Sequence, residues 1–267
     1  MDDDALTSLS LTHVYYNSND IISYVCAYLA LVPQGLVIVY IALIWSTREI
    51  EILLMFAGQM ACEAFNWLLK RYIQEERPSR RSQQPLHRSP ESKLSYAFTE
   101  LHGKGYGMPS SHAQFVAYFS TFLTLFMLLR HSPHDHPHAS ITHAPIPYWQ
   151  RVLLSLLSLI CAGAVAESRV YLNYHKPWQV YVGVIAGVAC AVAWFIVTSI
   201  ARQNGIIDWL LDLPLARMAR MRDLVVNEDL VDAGYYRWEM RRRTQRGFLA
   251  MNGGMNWRTK SNRTKSK

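Results

Sequence analysis

Seven residues in three short stretches carry side chains suited to phosphate chemistry. They are Lys70 and Arg77 in "KRYIQEERP" (70–78), Ser110, Ser111 and His112 in "GMPSSHAQF" (107–115), and Arg169 and His175 in "SRVYLNYH" (168–175). Lys70 and Arg77 are seven positions apart, almost two turns, so a helix that continues that far projects both from one face. Ser110 and Ser111 are small residues at the start of an apolar run. There they can cap a helix and let a phosphate approach its unpaired backbone N–H groups at the positive end of the dipole. His112 then projects from the first turn beside the anion, a placement that suits a general acid protonating a leaving oxygen. Arg169 offers a planar fork of donors. His175, just ahead of Lys176-Pro177, is placed to attack phosphorus, provided its attacking nitrogen is neutral and a neighbour holds its other N–H. The amide oxygen of Gln179, four residues on, is the candidate for that contact.

The elements that must position these groups are long and apolar. No Asp, Glu, Lys or Arg occurs in 21–47, 113–129, 152–166 or 177–200, and 52–69 contains only Glu63. A membrane-spanning helix needs about 20 mostly apolar residues. The expected fold class is therefore all-α: a polytopic membrane helix bundle of about five spans. Pro33 lies inside the first run and is expected to kink it or to separate a short interfacial piece from the span. Gln59, Glu63, Asn66 and Lys70 share one helical face at i, i+4, i+7 and i+11. A carboxylate such as Glu63 is costly in a membrane and should face the bundle interior. It then either pairs with a basic residue of the site or makes a structural interhelical hydrogen bond, and the hydrogen bond is the favoured reading.

Residues 1–200 are expected to form the membrane-embedded domain and 201–267 a basic tail with an interfacial helix at 206–221. The formal charge of +7 comes largely from that tail. An anionic membrane face explains it more simply than nucleic acid does. Alternating five spans puts Arg48, Arg130, Arg151 and the fourteen basic residues of the tail on one side, seventeen of the 27 Lys and Arg. The positive-inside tendency then makes the tail cytoplasmic. The loop 71–108 and the 168–176 turn fall on the other face, and Asn262-Arg263-Thr264 is on the side where no glycan is added. The four cysteines, Cys26, Cys62, Cys161 and Cys190, lie in apolar runs without a CxxC pair and are read as buried free thiols, with neither disulfide nor zinc. Five histidines between His131 and His143 lack regular ligand spacing and carry prolines among them, so a solvated loop is expected there rather than a metal site.

Antiparallel spans bring the end of the second, the start of the third and the turn between the fourth and fifth to one membrane face, so the three stretches converge on one basic pocket. Lys70-x6-Arg77-Pro78, Pro109-Ser110-Ser111-His112 and Ser168-Arg169-x5-His175 together resemble the signature of the phosphatidic acid phosphatase type 2 and haloperoxidase superfamily. The resemblance covers residues 70–175. It implies that Lys70, Arg77 and Arg169 bind phosphate, that His112 is the acid/base and that His175 is the nucleophile, with Ser168 in the motif beside Arg169. Ser111 stands where that family usually has Gly, and Gln179 where it usually has Asp. With "GKGYGMPSSHAQF" these departures are most similar to the branch that cleaves dolichyl diphosphate at the endoplasmic reticulum. The resemblance implies a polyprenyl diphosphate substrate embedded among membrane lipids, no metal or other cofactor, and a site facing the lumen. Phosphatidate, a sphingoid phosphate or another polyprenyl diphosphate are the alternative substrates, and a non-catalytic lipid-phosphate binder is the alternative of another class. A vanadate-dependent oxidase is disfavoured by the membrane spans.

Overall fold

A computed structural model describes residues 6–9, 14–17, 19–75, 106–131, 146–227, 234–235 and 237–246. Arg77, the histidines at 134, 136, 138 and 143, and Asn262 lie outside these residues. The chain divides into two compact units: residues 1–130 with 148–223, and residues 131–147 with 224–267. The first unit therefore takes in 201–223, a segment the sequence reading assigned to the tail.

The first unit opens with a short antiparallel pair, β1 (Leu6–Leu9) and β2 (Val14–Asn17), with Leu6 opposite Asn17. The pair precedes the bundle, which is all-helical among the described residues. Asp20 caps α1 (Ile21–Leu29) by accepting the Ile22 N–H at 3.0 Å. The first apolar run then breaks at Ala30–Leu31. It resumes as α2 (Val32–Thr47), with Pro33 in the opening turn, where its missing N–H costs nothing. The bundle continues with α3 (Ile50–Ile73) and α4 (Ser111–Leu125), which runs on through one π-helical turn, Phe126–Arg130. Then come α5 (Tyr148–Tyr171), α6 (Pro177–Gln203) and the short α7 (Ile206–Asp212) and α8 (Pro214–Met218).

Five segments are long and apolar enough to cross a bilayer: Ile21–Thr47, Ile50–Ile73, Ser111–Arg130, Tyr148–Tyr171 and Pro177–Gln203. The protein is thus a multi-pass membrane helix bundle. Half of the most apolar window of the third span is buried, against 22–28% in the other four, so α4 is the central helix. Phe115, Val116, Tyr118 and Phe122 fill the core from it. Leu153, Leu156, Leu157 and Ile160 of α5 are exposed, as lipid-facing side chains must be. Cys161 shares that exposed surface, contrary to the expectation that all four thiols are buried; Cys26 and Cys62 are buried, and all four are free.

Gly183 and Gly187 let α6 approach α4 closely. A Cβ at Gly183 would sit 2.7 Å from the Ser110 carbonyl oxygen, and one at Gly187 would collide with the Gln114 carbonyl. Small residues four apart are a common way for membrane helices to meet backbone to backbone. Ser110 belongs to the candidate site, so this packing also sets the site's floor. Gly183→Val is expected to cost about 1–3 kcal/mol through overpacking. It should also cut turnover by more than that loss of folded protein explains, as checked by comparing melting in detergent with activity per folded molecule.

At the other end of the spans lies a buried ion network. Glu51, in the first turn of α3, pairs with Arg130 at the end of α4 and with Arg202 at the end of α6, the latter at 2.8 Å. Arg130 also donates to Thr198 Oγ1 (2.9 Å) and Ser199 Oγ (2.7 Å), and Arg202 pairs with Asp223. The Ile50 N–H donates to the Arg222 carbonyl (2.8 Å), and the Arg222 side chain pairs with Glu49. This network is why 201–223 packs with the helices. Glu51→Gln leaves the buried Arg130 guanidinium without its carboxylate, while Arg202 keeps Asp223, and is expected to destabilise the protein by about 3–5 kcal/mol. The measurement is a lowered melting temperature in detergent, with little change in KM because the site is at the opposite end.

The second unit includes a helical stretch at 237–246, on which Arg243 pairs with Glu239 one turn away at 2.7 Å.

Candidate active site

The polypeptide brings the end of α3, the start of α4, the end of α5 and the start of α6 together, and α1 joins them. Hydrogen bonds establish the convergence. The Ser110 N–H donates to the Gln179 carbonyl (3.2 Å), the Gly107 N–H to the Glu75 carbonyl (2.6 Å), and Gln179 Nε2 to Glu75 Oε1 (3.0 Å). Gln74 takes a left-handed backbone conformation (φ 50°), which ends α3 and turns Glu75 out of the helical register.

Ser110 is the N-cap residue of α4, reached through a cis Met108–Pro109 peptide. Its side chain makes no capping bond, unlike the expected cap. Its Oγ is fully buried and has no hydrogen-bond partner among the described residues. Ser111 is the first helical residue and half-buried. Neither serine side chain is needed to close the helix, so the N-terminal amides and the Ser110 hydroxyl together form an anion-seeking end.

His112 follows. Its Nε2 lies 3.2 Å from the carbonyl of Ala30, a buried residue at the break in the first span. A carbonyl can only accept, so Nε2 carries the proton and Nδ1 is the nitrogen left for proton transfer. Lys70, Arg169 and His175 are all within Coulombic reach of His112.

Arg169 is buried at the end of α5. Its Nε donates to Ser168 Oγ (3.4 Å) and an Nη to the Cys26 carbonyl (3.5 Å), while the guanidinium carbon lies 5.5 Å from the centre of the Tyr174 ring. Ser168 spends its own proton on the Val165 carbonyl at 2.7 Å, which turns its lone pairs toward the guanidinium. Among the described residues these partners are all neutral. A buried guanidinium held this way is short of one negative charge.

His175 is buried in the turn between α5 and α6. The turn is shaped by Tyr174 and His175 N–H bonds back to the Arg169 carbonyl (3.0 and 3.3 Å). Its Nδ1 lies 2.8 Å from the Gly107 carbonyl. By the same logic Nδ1 bears the proton, and in the neutral ring Nε2 carries the lone pair. This corrects the expectation for Gln179. Its amide oxygen accepts the Lys176 N–H at 3.2 Å, which is half of a capping box on α6, and its NH2 group donates to Glu75. The contact expected from Gln179 is made by a backbone carbonyl 68 residues away in sequence.

Lys70 lies in the last turn of α3, half-buried. Glu63, almost two turns earlier, has its Oε1 buried without a hydrogen-bond partner among the described residues, so the favoured interhelical hydrogen bond is not made by that oxygen. Besides the Gly107 carbonyl, two contributions were missed in the sequence. The Ala30 carbonyl follows from the Pro33 break, which was visible. Glu75 carried no signal beyond lying inside the first motif. At the edge of the site the Tyr171 hydroxyl donates to Asp20 at 2.6 Å and holds that carboxyl below the usual range, tying the start of α1 to the end of α5. This stabilisation is present above the carboxylate's unfolded pKa and is lost as the pH falls through its lower folded value.

Fold and geometry together define a polytopic membrane protein in which Ser110, His112, Arg169 and His175 meet at one end of the spans. A model of the PAP2 superfamily matches residues 49–203, and the chain belongs to that superfamily. Among curated proteins it is similar to a "Putative dolichyldiphosphatase" of Neurospora crassa, 45% identical over 90% of this chain and 94% of the relative. "Dolichyldiphosphatase 1" of Homo sapiens is 38% identical over 71% of each chain, and "Dolichyldiphosphatase" of Saccharomyces cerevisiae 28% over 79% of each. No solved structure matches.

Proposed function

We propose that the protein hydrolyses dolichyl diphosphate to dolichyl phosphate and phosphate through a phosphohistidine on His175. The observation that carries the reading is the pair of ring anchors: His175 Nδ1 on the Gly107 carbonyl and His112 Nε2 on the Ala30 carbonyl. Each ring spends one N–H on a carbonyl and offers its other nitrogen to the reaction. The similarity to dolichyldiphosphatases supplies the substrate class.

The terminal phosphate sits against the α4 N-terminus, its charge balanced by Lys70, Arg77 and Arg169 and its oxygens completing the hydrogen bonds of the Ser110 hydroxyl and Ser111 amide. Preorganised donors of this kind stabilise the charge that grows on the equatorial oxygens. His175 Nε2 attacks the terminal phosphorus in line. A P–N bond forms as the bond from phosphorus to the bridging oxygen breaks, and His112, which enters this step as the imidazolium with a proton on each nitrogen, delivers its Nδ1 proton to the departing lipid monophosphate. In the second step His112 Nδ1 takes a proton from water. The hydroxide attacks phosphorus, the P–N bond breaks and phosphate leaves, returning both rings to their starting state. Ser168 orients Arg169, and Glu63 balances Lys70 within the bundle.

This activity belongs to an endoplasmic reticulum protein with the site facing the lumen and the C-terminal tail in the cytoplasm, where it returns the glycan carrier lipid for protein N-glycosylation. Phosphate release from purified protein in detergent, over a panel of lipid diphosphates and monophosphates with and without chelator, tests the reading. Preference for polyprenyl diphosphate, unchanged by chelator, is expected, because cations and amides already neutralise the phosphate. Preference for phosphatidate reassigns the substrate, and no release from any lipid leaves a binder.

A further inference from the structure

We infer that Glu75 is a positioning residue for His175: it locks together the segments that aim the imidazole at phosphorus. The inference rests on the reading of His175 as the nucleophile. Glu75 works through its backbone and its side chain at once. Its carbonyl accepts the Gly107 N–H at 2.6 Å, and Gly107's own carbonyl accepts His175 Nδ1–H at 2.8 Å. The acceptor that sets the ring's tautomer is therefore on a residue pinned to Glu75.

The Glu75 carboxylate accepts Gln179 Nε2–H at 3.0 Å and lies 3.5 Å from Lys176 Nζ. Gln179 is fully buried, caps the N-terminus of α6 and takes the Ser110 N–H on its backbone carbonyl. One residue thus joins the end of α3, the 107–110 segment and the first turn of α6, the elements on either side of His175. A carboxylate at a site for an anionic substrate is unfavourable for binding on its own. Here Lys176 offsets its charge, and the Gln179 amide can only donate to it. Its presence is explained by the geometry it holds. Misplacement of a reacting group by about 1 Å costs on the order of 100-fold in rate, so the loss should fall on kcat and not on KM.

The test uses the full-length protein in detergent with a polyprenyl diphosphate as substrate. Glu75→Ala is expected to lower kcat by about 10- to 100-fold with KM within about twofold. Gln179→Glu sets two carboxylates against each other and should lose a similar factor. The exchange Glu75→Gln with Gln179→Glu restores one carboxylate facing one amide and should recover most of it. A purely structural role would lower the melting temperature and the active fraction but leave kcat per active molecule unchanged, so kcat is normalised to folded protein. Wild-type kcat in Glu75→Ala, a change confined to KM, or no recovery in the exchange variant overturns the inference. If Glu75→Ala does not fold, the exchange pair carries the test. His175→Ala is run alongside. Its inactivity next to a Glu75→Ala enzyme of normal kcat sinks the positioning role alone, whereas turnover retained by His175→Ala sinks the nucleophile reading and this inference with it.

Discussion

His175→Ala is expected to reduce phosphate release by about 10⁴-fold or more and to abolish phosphoryl transfer to the protein. In the proposed route the ring is the group that bonds to phosphorus, and loss of a nucleophile is not made good by its neighbours. Arg169, Lys70 and the α4 N-terminus are untouched by the change, so the variant should still bind substrate. The experiment is therefore double: turnover, and retention of labelled phosphate on the protein after a short reaction with terminally labelled substrate. Wild-type protein should carry label transiently and His175→Ala none, while substrate affinity changes little. Turnover near the wild-type rate would exclude the phosphohistidine route.

His112→Ala should have the opposite signature. The departing group in the first step is a phosphate monoester, which leaves as an anion with modest help, so phosphorylation of His175 is slowed only partly. Water is a poor nucleophile until a base takes its proton, so the second step depends on His112 far more. Overall turnover is expected to fall by about 10²–10⁴-fold, the usual contribution of a general acid–base group. Labelled protein should now accumulate instead of disappearing. Restoring a base at that point, for instance with added imidazole, should release the label. Both histidine variants are poor catalysts in a steady-state assay, and the label on the protein separates them.

Much of this site is legible in one dimension. The three stretches "KRYIQEERP", "GMPSSHAQF" and "SRVYLNYH" each combine an element end with a charged or titratable residue, and the apolar runs between them dictate which ends share a face. The Pro33 break follows from the ring's missing N–H. The α4–α6 contact was equally open to a reader, since Gly183 and Gly187 stand four apart in an apolar run. Other features were not legible, for identifiable reasons. Gln179 is a plausible partner for His175 when only chain separation is considered, because both sit at the start of α6. The capping geometry of that helix instead turns the amide back to Lys176 and out to Glu75. The extension of the bundle to Asp223 was hidden because Arg202, Arg222 and Asp223 look like ordinary tail charges until Glu49 and Glu51 are brought to them.

The amino-acid order alone determined that the chain crosses a membrane as helices and that cations, serines and two histidines gather at one face. Hydropathy and helical periodicity are properties of single segments and survive without knowledge of their neighbours. Only the tertiary structure decided which nitrogen of each imidazole meets a backbone carbonyl. The deciding carbonyls, Ala30 for His112 and Gly107 for His175, lie 82 and 68 residues away in the chain. A tautomer is set by whatever acceptor the fold delivers to the ring, and that acceptor is a backbone atom that every residue possesses.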